Sequence, residues 1–155
     1  MSVFYLDTSA MVKRYFPETG TAWIQALADP ANGHTLLLGE LTLAETAAVI
    51  AAKHRASSGI TLAERDGILQ RFLQHCNDEY ALVPISRSVV DHAVLLTQQY
   101  RLRGYDSVQL AAALLVNAQY LAAGMPGLTF LAADNDLIAA AQAEGLTVAN
   151  PNNYP

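Results

Sequence analysis

Short, unbroken apolar runs separated by longer stretches of helical periodicity mark this chain. Val3-Phe4-Tyr5-Leu6 shows no polar alternation and ends on an acid, as a strand buried on both faces does. Runs at 35–38, 80–83, 128–131 and 146–148 repeat that pattern. Between them the spacing predicts helices over 9–16, 20–28, 42–55, 62–77, 87–100, 106–122 and 135–143. Ser57-Ser58-Gly59 splits two of these into a helical hairpin, and Gly124-Met125-Pro126-Gly127 stops the Ala-rich helix before the fourth strand. Strands alternating with helices predict an α/β fold, with a central parallel sheet of about five strands covered on both faces in three layers, α/β/α. In such sheets ligands bind at the carboxyl ends of the strands.

Composition narrows the class. A chain of 155 residues that is 52% hydrophobic and 15% charged can bury one proper core, so residues 1–155 are expected to form a single domain. No apolar run reaches the length of a membrane helix, since even the stretch from Val108 to Ala123 carries Gln109, Asn117 and Gln119. The start lacks the basic region of a secretory signal, and Cys76 is the only cysteine, which excludes an intrachain disulfide and a thiolate metal cluster. A cytoplasmic setting is expected.

The acids carry the chemistry. Asp7 follows the first strand and Asp134 the fourth, and Glu45 lies one turn into the helix after the second. The helix bearing Asp106 feeds through a Gly/Pro turn into the fourth strand, so its N-terminus lies at the same carboxyl edge. Each acid also has a structural role open to it. Thr42-Leu43-Ala44-Glu45 fits a capping box, Asp106-Ser107-Val108-Gln109 resembles one, and Asp134 can cap the last helix. Caps alone do not explain acids at every helix start on one edge, where Ser, Thr or Asn would serve without mutual repulsion. Crowded carboxylates raise one another's pKa unless a cation neutralises them, and an all-oxygen set suits Mg²⁺ or Mn²⁺ rather than zinc. Such ions support phosphodiester hydrolysis without a Ser-His or Cys-His pair.

Four blocks, 4–10 (Phe-Tyr-Leu-Asp-Thr-Ser-Ala), Leu43-Ala44-Glu45, 102–113 and 130–137, together resemble PIN-domain ribonucleases, most of all VapC-type toxins of type II toxin-antitoxin systems. The resemblance covers essentially the whole chain. It implies an endoribonuclease that uses Mg²⁺ or Mn²⁺, with Asp7, Glu45, Asp106 and Asp134 as catalytic metal ligands. It further implies a helper role for Ser9 in orienting a ligand or water; the alternative for Ser9 is a cap on the segment 9–16. Family members often carry Ser or Thr two residues before the fourth acid, where this chain has Ala132, so Asp136 stands as an alternative or addition to Asp134. The resemblance also implies a homodimer and a VapB-type antitoxin whose tail fills the acidic site.

The formal charge of −5 opposes RNA binding, but two bound divalent cations would bring it to −1. Lys13, Arg14 and Arg103 are the candidate RNA-binding residues, Arg103 foremost because it stands three residues before Asp106. The four histidines show no ligand spacing, and Tyr105 is expected to pack rather than stack on a base. Two other classes place an aspartate after the first strand. A dehalogenase-type phosphatase needs a second Asp where Ser9 stands, and a phospho-receiver needs one near Val83-Pro84-Ile85. A non-catalytic PIN-like module binding RNA or protein is the remaining alternative.

Overall fold

The computed structural model describes residues 1–155. Five strands, β1 (Val3–Leu6), β2 (Thr35–Gly39), β3 (Tyr80–Val83), β4 (Thr129–Leu131) and β5 (Thr147–Ala149), form one sheet. Their order is β3-β2-β1-β4-β5, every pair is parallel, and β1 lies at the centre. Seven α-helices accompany them: α1 (Thr8–Met11), α2 (Thr21–Leu27), α3 (Leu41–Arg55), α4 (Leu62–Asp78), α5 (Arg87–Gln99), α6 (Gly104–Ala122) and α7 (Asn135–Ala143). The predicted helix over 9–16 is shorter than expected. It breaks after Met11 into a 3-10 turn, Val12–Arg14, and Pro17 follows soon after.

The two faces of the sheet explain why the strands are apolar throughout. Tyr5, Leu37, Val83 and Phe130 pack against α5, α6 and α7, burying the Ala-rich stripe Ala111-Ala112-Ala113. The alternate residues Leu6, Leu36, Leu38, Tyr80 and Leu131 pack against α1 to α4, where Ile50 and Phe72 complete the second core. Three layers result, as the alternation of strands and helices predicts. The hairpin between α3 and α4 depends on Gly59, because a Cβ there would meet the Lys53 carbonyl oxygen at 2.0 Å. Trp23 is only partly buried and stacks on Tyr154 with ring centroids 4.0 Å apart.

At the carboxyl edge the layers are tied by a buried polar network. Tyr5 donates to Gln109 Oε1 at 2.8 Å, and Gln109 Nε2 donates to Thr42 at 2.8 Å. The two readings of capping boxes are therefore corrected. Glu40 is the N-cap residue of α3 with no side-chain cap bond, so Thr42 sits inside the helix and faces Gln109. Arg103 is the N-cap residue of α6, which places Asp106 in the first turn and sends Gln109 into the interior.

Gly39 makes room for this network, since a Cβ would lie 2.5 Å from the Tyr5 hydroxyl and 3.0 Å from Gln109 Oε1. Gly39→Ala is expected to cost roughly 1–3 kcal/mol by overpacking, and Tyr5→Phe roughly 1–2 kcal/mol by orphaning a buried acceptor. Because Tyr5→Phe removes the clashing oxygen, the double variant should lose less than the sum of the two in denaturant titration. Strict additivity would show that the two sites do not share this contact.

Candidate active site

Asp7, Glu45, Asp106 and Asp134 all line one cavity of about 380 Å³, together with Thr8, Ser9, Arg103 and Tyr105. Asp7 reaches it from the end of β1, Glu45 from the second turn of α3, Asp106 from the first turn of α6 and Asp134 from the start of α7. The parallel sheet produces this meeting, since α1, α3 and α7 follow its strands and begin at the carboxyl edge, and α6, which runs back to the start of β4, begins there too.

Asp7 is 4% exposed and caps α1, accepting from the Ser9 amide at 3.0 Å and the Ser9 hydroxyl at 2.6 Å. Burial drives its carboxyl pKa up to about 6; the Ser9 bonds pull against this, while Glu45 and Asp106 add repulsion. Ser9 Oγ in turn accepts from the Ala133 amide at 2.9 Å, so one hydroxyl links the loops after β1 and β4. Ser9 does not cap the helix; it positions Asp7.

Glu45 accepts from Thr8 Oγ1 at 2.6 Å, while its other oxygen, Oε1, is buried with no hydrogen-bond partner. Asp106 takes a bond from Arg103 Nε at 3.0 Å. Asp134 caps α7 as the sequence suggests, accepting from the amides of Asp136 and Leu137. Asp136 is exposed and lies outside the four-acid cavity, in a neighbouring groove of about 390 Å³ that Arg103, Asp106 and Asp134 also border.

The acids share a cavity without closing on a point. No three of them are arranged to clasp one ion, and each carboxylate accepts a bond from a protein donor. The donor set nevertheless fits a hard cation: four carboxylates, no sulfur or imidazole, and an orphaned buried oxygen on Glu45.

Two of the expected RNA-contacting residues are elsewhere. Lys13 is 4% exposed, with Nζ donating to the Thr19 carbonyl at 2.9 Å and lying 3.6 Å from Glu18. Arg14 is bound to Tyr80 and Glu79, next to the start of β3 at the opposite edge. Both are consumed by the fold after the helix breaks at Met11. Tyr105 departs from the packing expectation in the other direction, being 66% exposed at the cavity mouth. Thr8 went unassigned from sequence although it adjoins Asp7 and Ser9, and Thr42 and Gln109 were read only as members of capping boxes.

Residues 4–143 match the PIN domain. The chain belongs to the PIN-domain family. This PIN domain is 34% identical over 156 residues to Ribonuclease VapC45 of Mycobacterium tuberculosis (strain CDC 1551 / Oshkosh), covering 96% of each chain. Its fold is similar to that in the structure of FitAB bound to IR36 DNA fragment, with a TM-score of 0.65 at 18% identity, covering 96% of this chain and 94% of that one. It is likewise similar to a chain of a toxin-antitoxin complex from Klebsiella pneumoniae, with a TM-score of 0.60 at 19% identity, covering 97% and 98%.

The electrostatics give a signed prediction. Asp7 has a folded-state pKa of about 6, above the ordinary value of 3.8, so its ionised form opposes folding. The penalty is absent near pH 4, develops as pH rises through 6, and amounts to at most about 3 kcal/mol. In chelator, Asp7→Asn should therefore be more stable than the wild type at pH 7.5, with the difference vanishing toward pH 4. Thermal unfolding at both pH values checks this; a variant that is less stable at pH 7.5 contradicts it.

Proposed function

We propose that this PIN domain is a Mg²⁺- or Mn²⁺-dependent endoribonuclease and the toxin of a VapBC-type pair, with residues 1–155 acting as one domain. The observation that carries the reading is the orphaned, buried Glu45 Oε1 in a cavity that also holds Asp7, Asp106 and Asp134. A polar atom removed from water without a partner is costly, and a cation in the cavity would satisfy it while neutralising the Asp7 charge that burial, and less strongly Glu45 and Asp106, disfavour. Asp7, Glu45, Asp106 and Asp134 would hold the cation. The likeness to Ribonuclease VapC45 supports RNA as substrate.

When bound, the divalent ion supplies an acidified water and neutralises charge on the phosphate and the leaving oxygen. The chain's own groups prepare for that chemistry. Ser9 and Thr8 each fix one carboxylate by a hydroxyl bond of 2.6 Å, which limits the rearrangement Asp7 and Glu45 need. The buried floor beneath Asp7 keeps the dielectric low, and Arg103 offers N–H donors where a phosphate would approach.

The likeness to a chain of a toxin-antitoxin complex supports a VapB-type antitoxin as partner, and the VapC likeness supports a cytoplasmic setting. A homodimer has support in the outer face of α5, where Val94 is 56% and Leu95 62% exposed.

Purified protein freed of any partner should cleave RNA with Mg²⁺ or Mn²⁺, stop in chelator, and lose on the order of 100-fold or more of its rate in Asp7→Asn. Gel-resolved cleavage of total RNA reads this out. Metal-independent cleavage, or full activity in that variant, rejects the mechanism; metal binding with no cleavage would favour a non-catalytic module.

A further inference from the structure

Arg103 is the one basic side chain lining the acid cavity. Its backbone is held firmly: as N-cap residue of α6, its carbonyl accepts from both the amide and the hydroxyl of Ser107. Its side chain is held loosely, 83% exposed and tied by a single Nε bond to Asp106, whose own side chain is 17% exposed. A one-bond ion pair in solvent is weak, and the remaining guanidinium donors have no partner in the protein. Asp106 attracts this charge most strongly, and Asp134 and Asp7 attract it too.

The same guanidinium stands between two spaces, the four-acid cavity and the adjoining groove that Thr97, Tyr100 and Arg101 line. A divalent ion at Asp106 carries twice the charge of the guanidinium and repels it. Both cannot occupy that carboxylate at full strength.

We propose that Arg103 is a displaceable counter-ion, which holds Asp106 while no divalent cation is bound, releases it when one binds, and then takes a phosphate of a strand lying in the groove toward Arg101. The inference rests on reading the cavity as a cation site. It makes Arg103 a sensor of loading, so that the strongest phosphate grip develops only after the cation has arrived.

The test uses ¹⁵N-labelled full chain, with the Arg103 Nε–H signal assigned by its loss in Arg103→Gln. Titration with Mg²⁺ should move that signal in step with occupancy, and a nucleoside 5′-monophosphate should move it again. By calorimetry, Arg103→Gln should bind Mn²⁺ roughly 3- to 10-fold more tightly than the wild type, and its Mg²⁺-loaded form should bind the nucleotide roughly 10-fold more weakly. An Nε–H signal unmoved by saturating Mg²⁺, or unchanged Mn²⁺ and nucleotide affinities in Arg103→Gln, overturns the counter-ion role while leaving the cation site standing. Failure of both proteins to bind Mn²⁺ overturns the cation site and this role together.

Discussion

Burial of carboxylate charge, sharpened by repulsion among acids that a parallel sheet brings to one edge, is the constraint on which the rest of this molecule depends. Asp7 sits at the centre of the sheet, almost without solvent; burial raises its pKa most, and Glu45 and Asp106 add to the rise. Water cannot relieve that repulsion at a buried site, so the protein supplies donors one at a time. Ser9 serves Asp7, Thr8 serves Glu45, Arg103 serves Asp106, and two helix amides serve Asp134. Glu45 Oε1 is the one oxygen of the cluster left buried and unserved, and it marks where an added positive charge gains most.

Beneath the acids, a neutral polar layer keeps the edge rigid. Tyr5, Gln109 and Thr42 join β1, α6 and α3 through bonds that need no ionisation, and burial together with the Asp7 charge holds the Tyr5 hydroxyl well above its ordinary pKa. Tyr5 thus remains a donor at neutral pH. Glycine at position 39 is the condition for that layer, because only a missing side chain lets the Tyr5 hydroxyl reach Gln109. Stability of the fold and placement of the acids are coupled through these few atoms.

Much of this was legible in the sequence, for physical reasons that differ by element. β1 lies where its apolar run ends, since a central strand covered on both faces has no polar positions to blur its limits, and β3 matches its run although it is an edge strand with Ala81 and Leu82 exposed. Asp106 could be placed because the length of α6 spans the sheet and its C-terminus is pinned by the turn into β4. Local rules failed where tertiary contacts outbid them. Thr42 had the sequence of a cap but turned to Gln109, and Lys13, on a segment that breaks early, was drawn inward to the Thr19 carbonyl. Tyr105 carries no sequence mark that separates a packed aromatic from one at a cavity mouth. The helix amides that serve Asp134 were readable as a cap, but the partners of Asp7, Glu45 and Asp106 were out of reach, because hydroxyl and guanidinium bonds depend on rotamers that periodicity does not encode.

The most direct test of a cluster limited by its own repulsion is the thermal midpoint of the purified chain at pH 7.5 with and without saturating Mn²⁺, in the wild type and in Asp7→Asn. Relief of repulsion by a bound cation predicts a rise of several degrees in the wild type and a much smaller one in Asp7→Asn, since a ligand that binds only the folded state raises its stability. Equal midpoints with and without Mn²⁺ in the wild type would contradict it.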